Sequence, residues 1–126
     1  MIILGRIRSN RDGAMEVKVS PKEFASVVLK RILYQMEKYG WRKGDFGVEG
    51  GPQCLMGHYC SAYRYVVAKR HLYARDRALA YRLIEAETSL GPIIYNDMPS
   101  TTKSNVKKVV KDALTKTERR RKSRNG

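Results

Sequence analysis

The stretch Ser20-Pro21-Lys22-Glu23 narrows most sharply what this chain can fold into. A Ser at the N-cap, a Pro at the first helical position, where its missing N–H is no loss, and a Glu three residues after the cap together mark a helix start. Behind them Phe24, Val27, Val28, Ile32, Met36 and Tyr39 recur at the three-and-four spacing of one helix face. Gly40 then offers a residue tolerant of positive φ. The pattern predicts a helix over 21–39 whose apolar side must be covered by other elements.

Those elements are legible around it. Ile3, Gly5 and Ile7, the turn residues Asn10-Arg11-Asp12-Gly13, and Met15, Val17 and Val19 alternate as a β-hairpin over about 2–19, with one face turned inward. Gly44, Gly47, Gly50 and Gly51 make 41–52 a structured loop, anchored to the core by Trp41, Phe46 and Val48. Residues 54–88 contain no Pro and one Gly. Their apolar stripe (Leu55, Tyr59, Ala62, Tyr63, Val66, Val67) loses phase near Lys69-Arg70-His71, and a second (Leu72, Leu79, Leu83, Ala86, Leu90) follows. This predicts helices over 54–69 and 72–89, packed back on each other. After Gly91-Pro92 come a short buried segment, Ile93-Ile94-Tyr95, and a turn, Asn96-Asp97-Met98-Pro99. Thr102 caps a last helix over 102–115 carrying Val106, Val109, Val110, Ala113 and Leu114 on one stripe. The expected fold is mainly α with a short N-terminal β-hairpin: a four-helix compact domain, residues 1–115, and a basic C-terminal tail, 116–126.

Charge is the feature that needs a partner. The formal net charge is +14 over 126 residues. Residues 103–126 hold ten Lys and Arg against Asp112 and Glu118, so more than half of the excess lies in the last fifth of the chain. Clustered cations raise the local potential and release counterions from a phosphate backbone. The expected nucleic-acid contacts are Lys103, Lys107, Lys108, Lys111, Lys116, Arg119, Arg120, Arg121, Lys122 and Arg124, joined by Arg64 and Arg70 if the central arginines share their surface. Tyr59, Tyr63, Tyr65, Tyr73 and Tyr81 interleave with these central arginines, a mixture that can stack on bases or simply border a core.

Cys54 and Cys60 are six apart, which on a helix points them to nearly opposite sides, so no bridge between them is expected. Free thiols suit a reducing compartment. The apolar start Met1-Ile2-Ile3-Leu4 is too short for a signal-peptide core, and no segment approaches a membrane span. A cytoplasmic protein without membrane contact is expected.

Gly40-Trp41-Arg42-Lys43-Gly44, Cys54-Leu55-Met56-Gly57, and Tyr95-Asn96-Asp97-Met98-Pro99 with Thr102 and Val106 follow one another in a characteristic order. In this the chain resembles an uncharacterised family of small helical proteins of actinobacteria and their phages, over roughly residues 21–115. The resemblance implies a mostly helical fold and a phage origin, but no activity. Asn105 stands where that family places Glu after the capping Thr, Tyr95 stands where it usually has Trp, and the arginine-rich tail lies outside the matched region.

Catalytic chemistry is thinly supported. Cys54 and His58, four apart, share a helix face and could approach a carbonyl with Asn96 or Asp97 as orienting group. Zinc needs four placed ligands, and Cys60 and His71 are off that face. Gly44-Asp45-Phe46-Gly47 matches a GXXG clamp or a kinase Asp-Phe-Gly only superficially, since Asp45 would face phosphate and the companion kinase motifs are missing. No catalytic residue, metal or cofactor is therefore expected. The sequence points to a nucleic-acid-binding accessory protein for DNA or RNA. A module docking on an acidic host protein is the alternative, and a thiol enzyme using Cys54 and His58 the weaker one.

Overall fold

The computed structural model describes residues 7–9 and 15–118. The elements run β1 (Ile7–Ser9), β2 (Met15–Lys18), α1 (Pro21–Tyr39), α2 (Leu55–Ala68), β3 (Leu72–Tyr73), α3 (Leu79–Thr88), α4 (Pro92–Asp97) and α5 (Lys103–Glu118). The fold is mainly helical, as expected, with a small sheet at its N-terminal end.

Helix α1 begins where the cap predicted: the Ser20 hydroxyl accepts the Glu23 N–H at 3.1 Å. It ends on Gly40, whose φ of 92° suits a residue without Cβ and whose N–H returns to the Met36 carbonyl. Its buried side, Phe24, Val28, Leu29, Ile32 and Met36, is the centre of the core. Helix α2 covers that side with Leu55, Ala62 and Val66, α5 with Val106, Val109, Val110 and Ala113, and α3 with Ala80 and Ile84. Each large aliphatic or aromatic side chain removed from water here contributes about 1.5–3 kcal/mol, Ile84 of the short α3 among them. Tyr59, Tyr63 and Tyr81 form a ring cluster at the edge of this core, with Phe24 edge-on to Tyr63 at 5.9 Å.

Strands β1 and β2 pair antiparallel, Ile7 opposite Val17 and Ser9 opposite Met15, as the hairpin reading required. The predicted turn Asn10–Gly13 and residues 1–6 lie outside the described residues. The inward face differs from expectation at its outer end: Met15 is 55% exposed while Glu16 is buried, and Val17 and Val19 reach the core. Met15 pairs with Ser9 at the end of the described ladder.

The expected helix over 72–89 is shorter by seven residues at its start. Leu72–Tyr73 instead pairs parallel with β2, Val17 N–H donating to the His71 carbonyl and Val19 N–H to Tyr73. The chain enters this strand through His71 at φ 56°, a turn that no helix continues through. The overlooked signal is Asp76, whose carboxylate accepts the Ala78 N–H at 2.9 Å just before α3. The buried stripe of α3 is Ala80, Ile84 and Thr88, so Ala86 and Leu90 are exposed rather than inward. The expected buried segment 93–95 and the start of the turn, Asn96-Asp97, form helix α4 instead, with Ile93 and Ile94 in solvent and Pro92 and Asn96 buried, while Met98-Pro99 do turn. Phe46 and Val48 are not anchors either: Val48 is 74% exposed, because the glycine-rich loop is pinned by its backbone.

Helix α5 extends three residues past its expected end. Thr117 is buried, and Lys116 reaches Glu87 of α3 at 2.5 Å. The folded part thus runs at least to Glu118, and Arg119, Arg120, Arg121, Lys122 and Arg124 lie outside the described residues. At the other end, the Thr102 hydroxyl accepts the Asn105 N–H and the Asn105 side-chain oxygen Oδ1 accepts the Thr102 N–H at 2.8 Å. Asn105 closes the reciprocal cap that a Glu ordinarily closes. No described helix is long and apolar enough to cross a membrane.

Candidate nucleic-acid interface

Helices α1 and α5 run antiparallel and are fastened along one flank. Lys107 near the start of α5 pairs with Glu37 near the end of α1, and Glu118 at the end of α5 pairs with Lys30 in the middle of α1 at 3.1 Å. Lys30 and Glu37 are seven residues apart and Lys107 and Glu118 eleven, both close to whole helical turns, so both pairs mark the same side of the helix pair. Exposed ion pairs of this kind add little stability, but they report orientation.

One depression opens at each end of this flank. The first, about 560 Å³, gathers Lys103, Lys107, Lys108 and Lys111 around Glu37 and Asp112. The Glu37 carboxyl is held below its usual range by the hydrogen bond and charge of Lys107, then by the charges of Lys103 and Lys111. Three of the expected contact residues, Lys103, Lys107 and Lys111, therefore converge on one acid, while Lys108 is bound to Asp112 at 2.9 Å. Lys103 and Lys111 form no ion pair among the described residues.

The second depression, also about 560 Å³, lies between α1, the end of α2, β3 and the end of α5. It brings Arg70 together with Lys22, Lys30, Arg31, Tyr34 and Tyr65. The Arg31 guanidinium lies 3.7 Å from the centre of the Tyr65 ring and 4.7 Å from that of Tyr34, and its Nε donates to Gln35 Oε1 at 3.1 Å. Sequence reasoning missed Lys22, Lys30, Arg31 and Tyr34 because α1 was read for its buried side. The spacing of Lys30, Arg31, Tyr34 and Lys38 on the other side was the available signal.

The remaining expected contacts are dispersed. Arg64 is bound to Glu49 at 3.1 Å and borders a separate shallow hollow with Tyr59, Cys60 and Tyr63. Lys116 is nine residues from Lys107, half a turn out of phase, and faces α3. Arg82 is bound to Asp76. Arg70, of the central arginines, shares the second depression with Thr117 and Glu118 of the terminal helix.

A different convergence unites the three separated motifs. Asn96, fully buried, accepts from Trp41 Nε1 at 2.5 Å and from the Leu55 N–H at 3.0 Å, while its amide donates to the Arg42 carbonyl and to Asp97. Asp97 accepts the Gly44 N–H at 3.0 Å, which holds its carboxyl below the usual range with help from Asn96. Lys43 donates to the Met98 carbonyl at 2.6 Å. The Asn-Asp pair thus serves the start of α2 and the glycine loop rather than the α5 N-terminus that follows it in sequence. Cys54 caps α2, its sulfur accepting the Gly57 N–H at 3.4 Å, and burial pushes its thiol pKa up.

His58 is turned away from thiol chemistry. One ring nitrogen contacts the Gly40 carbonyl at 2.7 Å and the other the Gln35 side-chain amide at 3.2 Å. The tautomer that satisfies both carries its proton on Nε2. Burial pushes the imidazole pKa down, so it is held neutral. Cys54 and His58 are committed to separate structural contacts, and a raised thiol pKa is the opposite of what a nucleophile needs.

A scan against protein-family models finds no match for this chain, and no curated protein or solved structure matches it.

Proposed function

We propose that this protein binds nucleic acid by sequence-tolerant contacts to phosphate, made along the α1–α5 flank and continued by the arginine-rich residues after Glu118. The observation that carries this reading is a pair of cation-lined depressions along α1 and α5, one holding Lys103, Lys107 and Lys111 and the other Lys30, Arg31 and Arg70. With +14 on the whole chain, the field along that side favours a polyanion. On the family resemblance, the protein is a phage-encoded accessory factor acting in host cytoplasm.

The test is fluorescence anisotropy with labelled duplex DNA and RNA over a range of salt. Affinity should fall steeply with salt, and the double variant Lys103→Glu, Lys111→Glu should lower the slope of log K against log salt by about 2, near one unit per phosphate contact. A chain ending at Glu118, which keeps Thr117 in the core, should lose further slope. Binding indifferent to salt, or slopes unchanged in both variants, would sink the proposal.

A second reading, docking on an acidic protein, draws on the exposed Leu90, Ile93 and Ile94 beside one another at the α3–α4 junction. A stoichiometric acidic partner that survives nuclease treatment and is released by mutating these three residues would favour it over the first.

A further inference from the structure

We infer that the depression around Arg31 receives an unpaired base, so that the protein prefers single-stranded nucleic acid to duplex; this rests on the phosphate-binding reading above. The volume of about 560 Å³ lies within the range of roughly 300–1,000 Å³ usual for small-molecule sites. Its parts are those a nucleotide requires. Val27 and Leu72 give it apolar lining, the Tyr34 and Tyr65 rings flank Arg31, and Lys22, Lys30 and Arg70 stand around it. Tyr34 leaves 45% of its surface in water, so part of its ring is open to a ligand beside Arg31 and Lys38.

Arg31 is fixed rather than swinging. Its Nε is tied to Gln35, which is buried and itself held by the His58 carbonyl at 3.0 Å and the His58 ring. The terminal N–H groups of a guanidinium so held, with rings on two sides, form a pre-organised fork for phosphate or a base edge. Two carboxylates, Glu23 and Glu118, share the site, and the second is neutralised by Lys30. A duplex presents phosphates to these cations but keeps its base faces stacked inside. A single strand offers both, and base–aromatic stacking is indifferent to sequence.

The experiment uses the full chain and three labelled probes of equal length: a mixed-sequence DNA single strand, the same strand with consecutive abasic sites, and its duplex. The intact strand should bind about tenfold more tightly than the abasic strand, the loss expected for one stacked base, and more tightly than the duplex. Tyr34→Ala should erase that preference while leaving the salt slope unchanged, and Tyr34→Phe, which keeps the ring, should retain it. Tyr34 lies outside the core, so both variants should keep the wild-type circular dichroism. Equal binding of intact and abasic strands, or a preference that survives Tyr34→Ala, overturns the inference and leaves the phosphate reading standing. Binding to none of the probes overturns both.

Discussion

Asn96 saturates its hydrogen-bonding capacity: two lone pairs meet the Trp41 indole and the Leu55 amide, and two amide hydrogens meet the Arg42 carbonyl and Asp97. Asn96→Leu, close in volume, leaves several of those groups buried without partners, and a cost of about 2–4 kcal/mol is expected from the usual penalty per orphaned group. Urea unfolding followed by Trp41, the single Trp of the chain, measures it. A loss below about 0.5 kcal/mol, the range of neutral surface changes, would show that the convergence is not structural. At this scale the sequence identified the residue types correctly and their partners incorrectly. Asn96 and Asp97 read as turn residues ahead of a helix, but the amides they satisfy lie about forty to fifty positions earlier. Such partners are set by chain topology, which no local spacing encodes.

Helix α2 explains its own Cys-x-x-Gly start. Cys54 caps it, and Gly57 lets the Phe46 carbonyl lie where a Cβ would otherwise stand. Across the loop, Gly47, at φ 74°, meets the Pro52 carbonyl in the same way. Two backbone-on-backbone approaches therefore seat the loop, which is why Phe46 and Val48 need not be buried. Ala is the better helix former than Gly by about 1 kcal/mol, so Gly57→Ala discriminates sharply. Displacing a carbonyl that belongs to the packed loop should outweigh that gain and destabilise by about 1–3 kcal/mol, the usual cost of overpacking. Thermal unfolding decides: a higher midpoint in Gly57→Ala would refute the contact. Helices α1, α2 and α5 were legible because capping and periodicity agreed within each. Helix α3 was mistaken at its start because Leu72 continues a helical pattern while its backbone completes a sheet, and pairing with β2 won.

For the molecule as a whole, stability and charge are linked through one buried imidazole. His58 has its pKa lowered below 6.5 by burial, so the folded state holds it neutral while the unfolded chain takes up a proton as pH falls through that value. The stability it contributes is present above about pH 6.5 and is lost as pH falls through the folded pKa. Glu37, Asp76 and Asp97, whose pKa values are lowered by Lys107, by Arg82 and by the Gly44 amide with Asn96, add a second loss at lower pH, through and below the ordinary carboxylate range. These three are solvent-facing, so screening makes their share small. The urea midpoint should therefore drop between about pH 7.5 and pH 5, and a flat midpoint across that window would contradict a neutral His58 in the core. Because the same Gln35 holds both His58 and Arg31, acidification should loosen the fork of the candidate site as well.

The sequence by itself determined the helical class, the capped span of α1, the stripe of α5 and a cationic excess concentrated toward its C-terminal end. Each follows from local spacing, capping chemistry or composition, which need no knowledge of neighbours. Only the tertiary structure decided which cations stand together. The antiparallel seating of α5 on α1 placed Lys103, Lys107 and Lys111 beside the outer side of α1, turned Lys116 to α3, and left Arg64 with Glu49. That selection depends on helix phase and on which flanks are buried, and burial is a property of the packed whole rather than of any segment.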